Sequence, residues 1–339
     1  MGTRGRWILR VGTPKSGFRY TLDGRPVRAA VVDRIKALVI PPAWRDVHIA
    51  ATPRANVQAW GYDVRGRKQY RYSAQATERG ALRKFHRVTR LGHDLPRIRL
   101  RVNVDGRGAE LTKRRVVAGV VRLIAEGYLR VGSDRYEKEN GSFGTTTLLK
   151  KHATVHGRNR IEFHYPGKRL VEQRHIVVDR RLAAFIAQCK RTPGPRLFRY
   201  ETSDGWSDLT ARDVNRYLHE LVGVPYTAKD FRTWGGTLTA AVQLAELGPA
   251  ESEHQAKKNV VAAVRAVAEE LGNTPAISRK SYVHPIVIAQ YMDHGHTITV
   301  NPSWVRQGRL TPAERALARF LLEHFPDRRR QRREEARTA

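Results

Sequence analysis

The sequence holds 339 residues, 40% of them hydrophobic, with 63 Lys and Arg against 32 Asp and Glu and a formal net charge of +31. That length suits two or three folded units. No apolar run approaches the roughly 18 residues of a membrane span, no signal-peptide segment follows the basic start, and Arg6 spoils a myristoylation match. The single cysteine, Cys189, excludes an intrachain disulfide and a thiolate metal cluster. The expectation is a soluble, cytoplasmic chain without a membrane partner, whose positive field attracts polyanions and binds nucleic acid in a salt-dependent way. Arg far outnumbers Lys, which favours bidentate phosphate contacts over mere solubility.

In chain order, residues 1–77 read as a small β-rich unit. Ile8, Arg10 and Gly12 alternate with Leu9 and Val11, and residues 17–20 lead to the turn at Asp23-Gly24. Residues 57–62 and 69–72 flank a turn at Gly66. A helix from about Val31 to Leu38 interrupts, and Pro41-Pro42 ends it. From residue 78 the period becomes helical. A linker helix is predicted over 78–93, and Val116, Val117, Val120, Val121 and Ile124 mark another. Strands return between Thr145 and Val178, with a tight hairpin turn at Pro166-Gly167. After Asp179 the chain reads as helical to about Phe325, its helices opened by capping boxes at Thr210/Asp213 and Thr227/Asp230 and by Thr274-Pro275. Residues 327–339, with Arg328-Arg329-Arg330 and Arg332-Arg333, read as a basic, disordered tail.

Four short motifs follow one another in this frame. They are Leu129-Arg130-Val131-Gly132, Gly167-Lys168, Phe231-Arg232-Thr233 and Ser281-Tyr282. Alone, each Arg would be a surface charge in so basic a chain. In this order and at these spacings they resemble the catalytic set of type IB DNA topoisomerases, of the bacterial, poxvirus-like branch, and the resemblance runs from Ile40-Pro41-Pro42-Ala43-Trp44 onward. It implies an α+β fold, with a small β-rich N-terminal domain (1–77) and a larger, mostly helical catalytic domain (78–326) containing a small antiparallel sheet. The two would form a C-shaped clamp on double-stranded DNA. It further implies a monomeric, nucleoid-associated enzyme that relaxes supercoils through a 3′-phosphotyrosyl bond, with no cofactor.

The residue types suit that chemistry. Attack on a phosphodiester builds negative charge on the non-bridging oxygens, which fixed cations must stabilise. Arg130 and Arg232 offer permanently charged, planar forks, and Arg232 lies near a helix N-terminus. The resemblance makes Lys168 the general acid to the leaving 5′-oxygen. A lysine between two guanidinium groups holds its proton less tightly. Tyr282 is the nucleophile, its phenolate favoured by the same cations, with Pro285 keeping it near a helix end. Asn273, where the eukaryotic and poxvirus branches carry His and bacterial members carry Asn, can donate a hydrogen bond but cannot exchange protons at neutral pH. Gln69, Tyr70 and Tyr72 resemble the family's DNA-contacting strand, on which Tyr70 and Tyr72 share one face. Tyr136 and Lys229 are further candidates for backbone contacts.

Other signals are weaker. His152 and His156 sit in a segment of strand character without a ligating carboxylate, so no metal is assigned. Gly12-Thr13-Pro14-Lys15-Ser16-Gly17 lacks P-loop spacing, so no nucleotide site is assigned. The nearest rival, a tyrosine site-specific recombinase, shares the Arg-Lys-Arg-Tyr chemistry but usually carries H-x-x-R, where this chain has Lys229 three residues before Arg232. A catalytically dead DNA binder is the rival from another class.

Overall fold

The computed structural model describes residues 6–300 and 310–326. It divides into two compact units, residues 1–84 and 85–339. The first contains strands β1 (Trp7–Thr13), β2 (Gly17–Leu22) and β3 (Arg25–Pro26), helix α1 (Ala29–Ala37), and strands β4 (Arg45–Ala50), β5 (Val57–Tyr62) and β6 (Lys68–Tyr72). Helix α2 (Ala74–Asp105) follows, and the division falls inside it, seven residues later than the boundary expected at 77/78. The second unit continues with α3 (Lys113–Gly127), α4 (Asp134–Asn140), β7 (Ala153–His156), β8 (Arg160–Pro166), β9 (Glu172–Val178) and α5 (Arg180–Cys189). A hairpin, β10 (Arg199–Thr202) and β11 (Gly205–Asp208), precedes α6 (Ala211–Val222), α7 (Ala228–Leu247), α8 (Glu253–Leu271), α9 (Pro275–Tyr282), α10 (Pro285–His294) and α11 (Pro312–His324). The class is α+β, as the sequence predicts. The basic segment 327–339 lies outside the described residues.

In the first unit the strands form one antiparallel sheet in the order β3-β2-β1-β4-β5-β6. Its core is small: Ile8, Val47, Ile49 and Ala59 from the sheet, and Ile35 from α1. Strand β4 goes unforeseen in the sequence, although Val47 and Ile49 alternate with polar Asp46 and His48 as a half-buried strand requires. Strand β6 is an edge of the sheet, and its exposed face carries Tyr70 and Tyr72.

The second unit corrects two expectations. Helix α2 is far longer than the predicted 78–93 and runs through Pro96. A proline inside a helix costs about 3 kcal/mol. Here Val88, Leu91, Leu95, Ile98 and Val102, all buried, line one face at helical spacing, and each contributes roughly 2 kcal/mol. Burial therefore outweighs the proline. The second correction is the β10–β11 hairpin in a region read as helical. Its strands have four residues each, too short for periodicity to register, but Gly205 at φ 114° marks the turn.

Gly92 of α2 also fixes how this unit packs. A Cβ there would stand 2.4 Å from the ring of Trp234 on α7. The glycine lets the two helices approach until the buried indole lies against α2.

Candidate active site

Helix α3 stops at Tyr128, which adopts a left-handed conformation at φ 50°. Leu129 anchors the exit in the core, fully buried. Arg130 thus emerges from the segment just beyond the helix, whose last residue is Gly127. The segment is clamped from outside. Backbone N and Oγ1 of Thr145 donate to the Arg130 carbonyl at 2.7 and 2.9 Å, and those of Thr146 do the same to Val131 at 2.7 and 2.9 Å. Gly144 and Gly132 permit this approach, since a Cβ on Gly144 would lie 2.5 Å from Gly132.

The Arg130 guanidinium is oriented by three acceptors. It donates to Gln173 Oε1 at 2.9 Å, to the Gly272 carbonyl at 3.0 Å and to Asn273 Oδ1 at 2.6 Å. Gly272 caps α8 in the left-handed region at φ 57°, which turns its carbonyl and Asn273 toward Arg130. Asn273 Nδ2 is buried and has no hydrogen-bond partner among the described residues.

Arg232 sits one turn into α7, whose start is held by a capping box between Thr227 and the buried Asp230. It is 2% exposed. Its guanidinium donates to the backbone carbonyls of Tyr128 and, at 2.7 Å, Leu271, while Nε has no partner among the described residues. Burial, and then the charge of Arg130, pull its pKa down to about 10 against the opposing pull of Tyr282. It remains a cation at neutral pH.

Tyr282 is the last residue of α9, and its ring centroid lies 5.3 Å from the Arg232 guanidinium carbon. Pro285 opens the next helix directly after it. The backbone on this side is seated on α7: Thr237 Oγ1, which donates to the Thr233 carbonyl at 2.6 Å, accepts from His284 N at 3.0 Å and lies 3.3 Å from the Tyr282 carbonyl. A Cβ on Gly236 would come within 2.8 Å of that carbonyl.

Arg130, Arg232 and Asn273 are therefore brought together through residues 271–273, and Tyr282 joins them at Arg232. Lys168 is exposed in the turn between β8 and β9, and among the described residues it makes no hydrogen bond or ion pair. The next two residues, Arg169 and Leu170, both hold left-handed backbone at φ 64° and 60°. For side chains with a Cβ this costs on the order of 1 kcal/mol each. The turn is not at its intrinsic backbone minimum.

Three neighbours escape the sequence reading. Gln173, on β9, is 4% exposed and bonds to Arg130. His175, two residues on and sharing its face, stacks on Tyr165 with centroids 6.1 Å apart. Burial, then Arg232 and Arg130, push His175 down to about 4, and burial pushes Tyr165 up to about 12 against the pull of the same arginines. Both are neutral at pH 7. The available signal is β9 itself, where polar Gln173 and His175 alternate in register with the buried Val177.

In the N-terminal unit, Tyr70 and Tyr72 are exposed and stack on each other with centroids 6.0 Å apart. Gln69 alternates to the other face, where Nε2 donates to Asp63 Oδ2 at 3.0 Å. Tyr136 on α4 and Lys229 in the first turn of α7 are exposed.

Residues 73–305, more than half of the chain, match the family model described as eukaryotic DNA topoisomerase I, catalytic core. The chain belongs to the type IB DNA topoisomerases. Residues 17–63 match the bacterial DNA topoisomerase IB N-terminal domain. Among relatives of this topoisomerase, the DNA topoisomerase 1B of Acanthamoeba polyphaga mimivirus is 29% identical over 285 residues, covering 82% of this chain and 84% of the viral one. The DNA topoisomerase 1B of Vaccinia virus (strain Copenhagen) is 23% identical over 238 residues, 69% of this chain and 72% of its own. The mitochondrial DNA topoisomerase I of Pan troglodytes is 27% identical over 185 residues, 52% of this chain but 29% of its own.

Proposed function

We propose that this topoisomerase relaxes supercoiled duplex DNA by cutting one strand, letting it swivel and resealing it. The observation that carries the reading is the Arg232 guanidinium, pinned by two backbone carbonyls, in the charge field of Arg130 and 5.3 Å from the Tyr282 ring. Tyr282 Oη attacks the phosphorus, its proton passing to solvent. The Oη–P bond forms as the P–O5′ bond breaks, and Lys168 gives the departing oxygen its proton. A 3′-phosphotyrosyl bond and a free 5′-hydroxyl remain. Arg130, Arg232 and Asn273 Nδ2 stabilise the charge that grows on the non-bridging oxygens, where one such donor is typically worth about 10²–10³ in rate.

One phosphodiester is exchanged for another, so resealing needs no ATP, and the arginine pair supplies the positive charge that a metal would otherwise bring. Lys168 must swing toward the phosphate, and its strained turn suits a segment that rearranges on DNA. The stacked Tyr70 and Tyr72, with Gln69, Tyr136 and Lys229, hold the DNA backbone. The enzyme works as a monomer in the cytoplasm, on the nucleoid.

The test is relaxation of a supercoiled plasmid of arbitrary sequence, with EDTA present and ATP absent. A ladder of relaxed topoisomers is expected, with a denaturant-trapped protein–DNA adduct that Tyr282→Phe does not form. Intact DNA binding without relaxation would overturn the reading in favour of a site-specific recombinase or an inactive binder.

A further inference from the structure

Gln173 touches both halves of the machinery just described. Its Oε1 accepts from Arg130 at 2.9 Å, and its Nε2 donates to the carbonyls of Val171 and Glu172 at 3.3 and 3.2 Å. Val171 closes the Lys168 turn, because the same carbonyl accepts from Gly167 N at 2.9 Å. The amide fits in one orientation only. An arginine has no acceptor, so the oxygen must face Arg130, and the carbonyls have no donor, so the nitrogen must face them.

The surroundings are shaped to this side chain. A Cβ on Gly167 would stand 2.4 Å from Gln173 Cγ, and one on Gly272 2.5 Å from its Oε1. Two glycines from separate segments thus leave room for one buried amide. One of them precedes Lys168, and the other supplies a carbonyl to Arg130.

We propose that Gln173 is a positioning residue that locks the Arg130 guanidinium to the base of the Lys168 turn. It rests on the strand-cleavage reading above. Gln173 contacts no reacting atom in this scheme. It removes the freedom of Arg130 to turn its fork away from the scissile phosphate, and a misplacement of about 1 Å at such a group can cost on the order of a hundredfold.

The experiment measures single-turnover formation of the covalent adduct on a duplex that loses its 5′-hydroxyl fragment after cleavage. Gln173→Met keeps the volume and removes the acceptor. The expected result is a saturating rate lowered about 10- to 100-fold, with DNA half-saturation and thermal midpoint little changed. In an Arg130→Ala background the same substitution should change the rate less than about twofold, since residues acting as a unit are not additive.

Gly167→Ala attacks the same side chain from its neighbour. The backbone there, at φ −89°, accepts alanine, and the new Cβ displaces Gln173. Its loss should match that of Gln173→Met and not add to it, and it carries the test if Gln173→Met does not fold. A folded Gln173→Met at the wild-type rate, or full additivity with Arg130→Ala, overturns the proposal. If the wild type forms no Tyr282-dependent adduct, the cleavage reading itself fails. That is seen before any variant is compared, and the positioning role falls with it.

Discussion

Arg130 donates to Asn273 Oδ1 across 2.6 Å, and that one bond fixes which way the asparagine amide faces. Because the guanidinium can only donate, Oδ1 is consumed and Nδ2 is left as a buried donor with no partner among the described residues. A buried, unmade donor costs about 1–3 kcal/mol, and an anion beside it would recover that energy. Asn273→Asp should therefore be worse than Asn273→Ala. The alanine loses one donor, and adduct formation should slow about 10- to 100-fold. The aspartate loses the donor and adds a negative charge where the phosphate's own charge must grow, so a fall of about 10³ is expected. Single-turnover cleavage of matched duplexes by the two variants checks the order, and equal rates would remove Asn273 from the transition state.

Arg232 makes a sharper case for geometry over charge. Its two carbonyl bonds to Tyr128 and Leu271 use separate nitrogens of one planar fork. A lysine ammonium at that position is a single point and cannot satisfy both while facing the phosphate. Arg232→Lys is expected to lose about 10²–10³ in adduct formation while DNA affinity stays within about threefold. Near wild-type cleavage by the lysine variant would mean that charge alone suffices there.

How much of this was legible in the sequence depends on the range of the interaction. The residue types of the arginine pair and Tyr282 follow from local motifs, and their helices follow from local signals: the capping box at Thr227 and Asp230, Pro at the start of α9 and α10. Long-range register was not legible. Gln173 meets Arg130 only because β9 pairs with β8 so that Gln173 lies opposite Tyr165, and no spacing within the strand announces it. Helix α2 outruns the predicted 78–93 because its buried face continues on both sides of Pro96, and burial against the rest of the unit is not visible in the local sequence. Lys168 is expected among the cations from the family resemblance; the structure shows its side chain exposed, on a turn closed by Gly167 N donating to the Val171 carbonyl at 2.9 Å.

Tyr70 and Tyr72 test the N-terminal unit. Both are exposed on the edge strand β6, with stacked rings, and neither carries charge. Replacing both with Ala should weaken duplex binding about tenfold, roughly 1.4 kcal/mol. The slope of log affinity against log salt should not change, because no cation and no counterion release is lost. Titrations at several salt concentrations separate the two effects, and a shallower slope would show that the substitution disturbed the surrounding basic residues.

The stability of the catalytic unit should carry a histidine signature in acid. His152 is 6% exposed, and its Nδ1 accepts from Leu149 N at 3.1 Å. Burial, then the charges of Lys151 and His164, push it from 6.5 down to about 4. Protonation would place a charge in the core and break that bond. Since the folded pKa is below the unfolded one, the unfolded chain binds more protons between pH 6.5 and 4, and stability rises with pH across that window. It is full above about pH 6.5 and lost as pH falls toward 4. His175, also held near 4, adds to the same slope. His152→Gln, which keeps an acceptor but cannot titrate, should flatten the pH dependence of the thermal midpoint between pH 4 and 6.5 while changing little at pH 8. An unchanged slope in that variant would assign the acid sensitivity to His175 and the carboxylates instead.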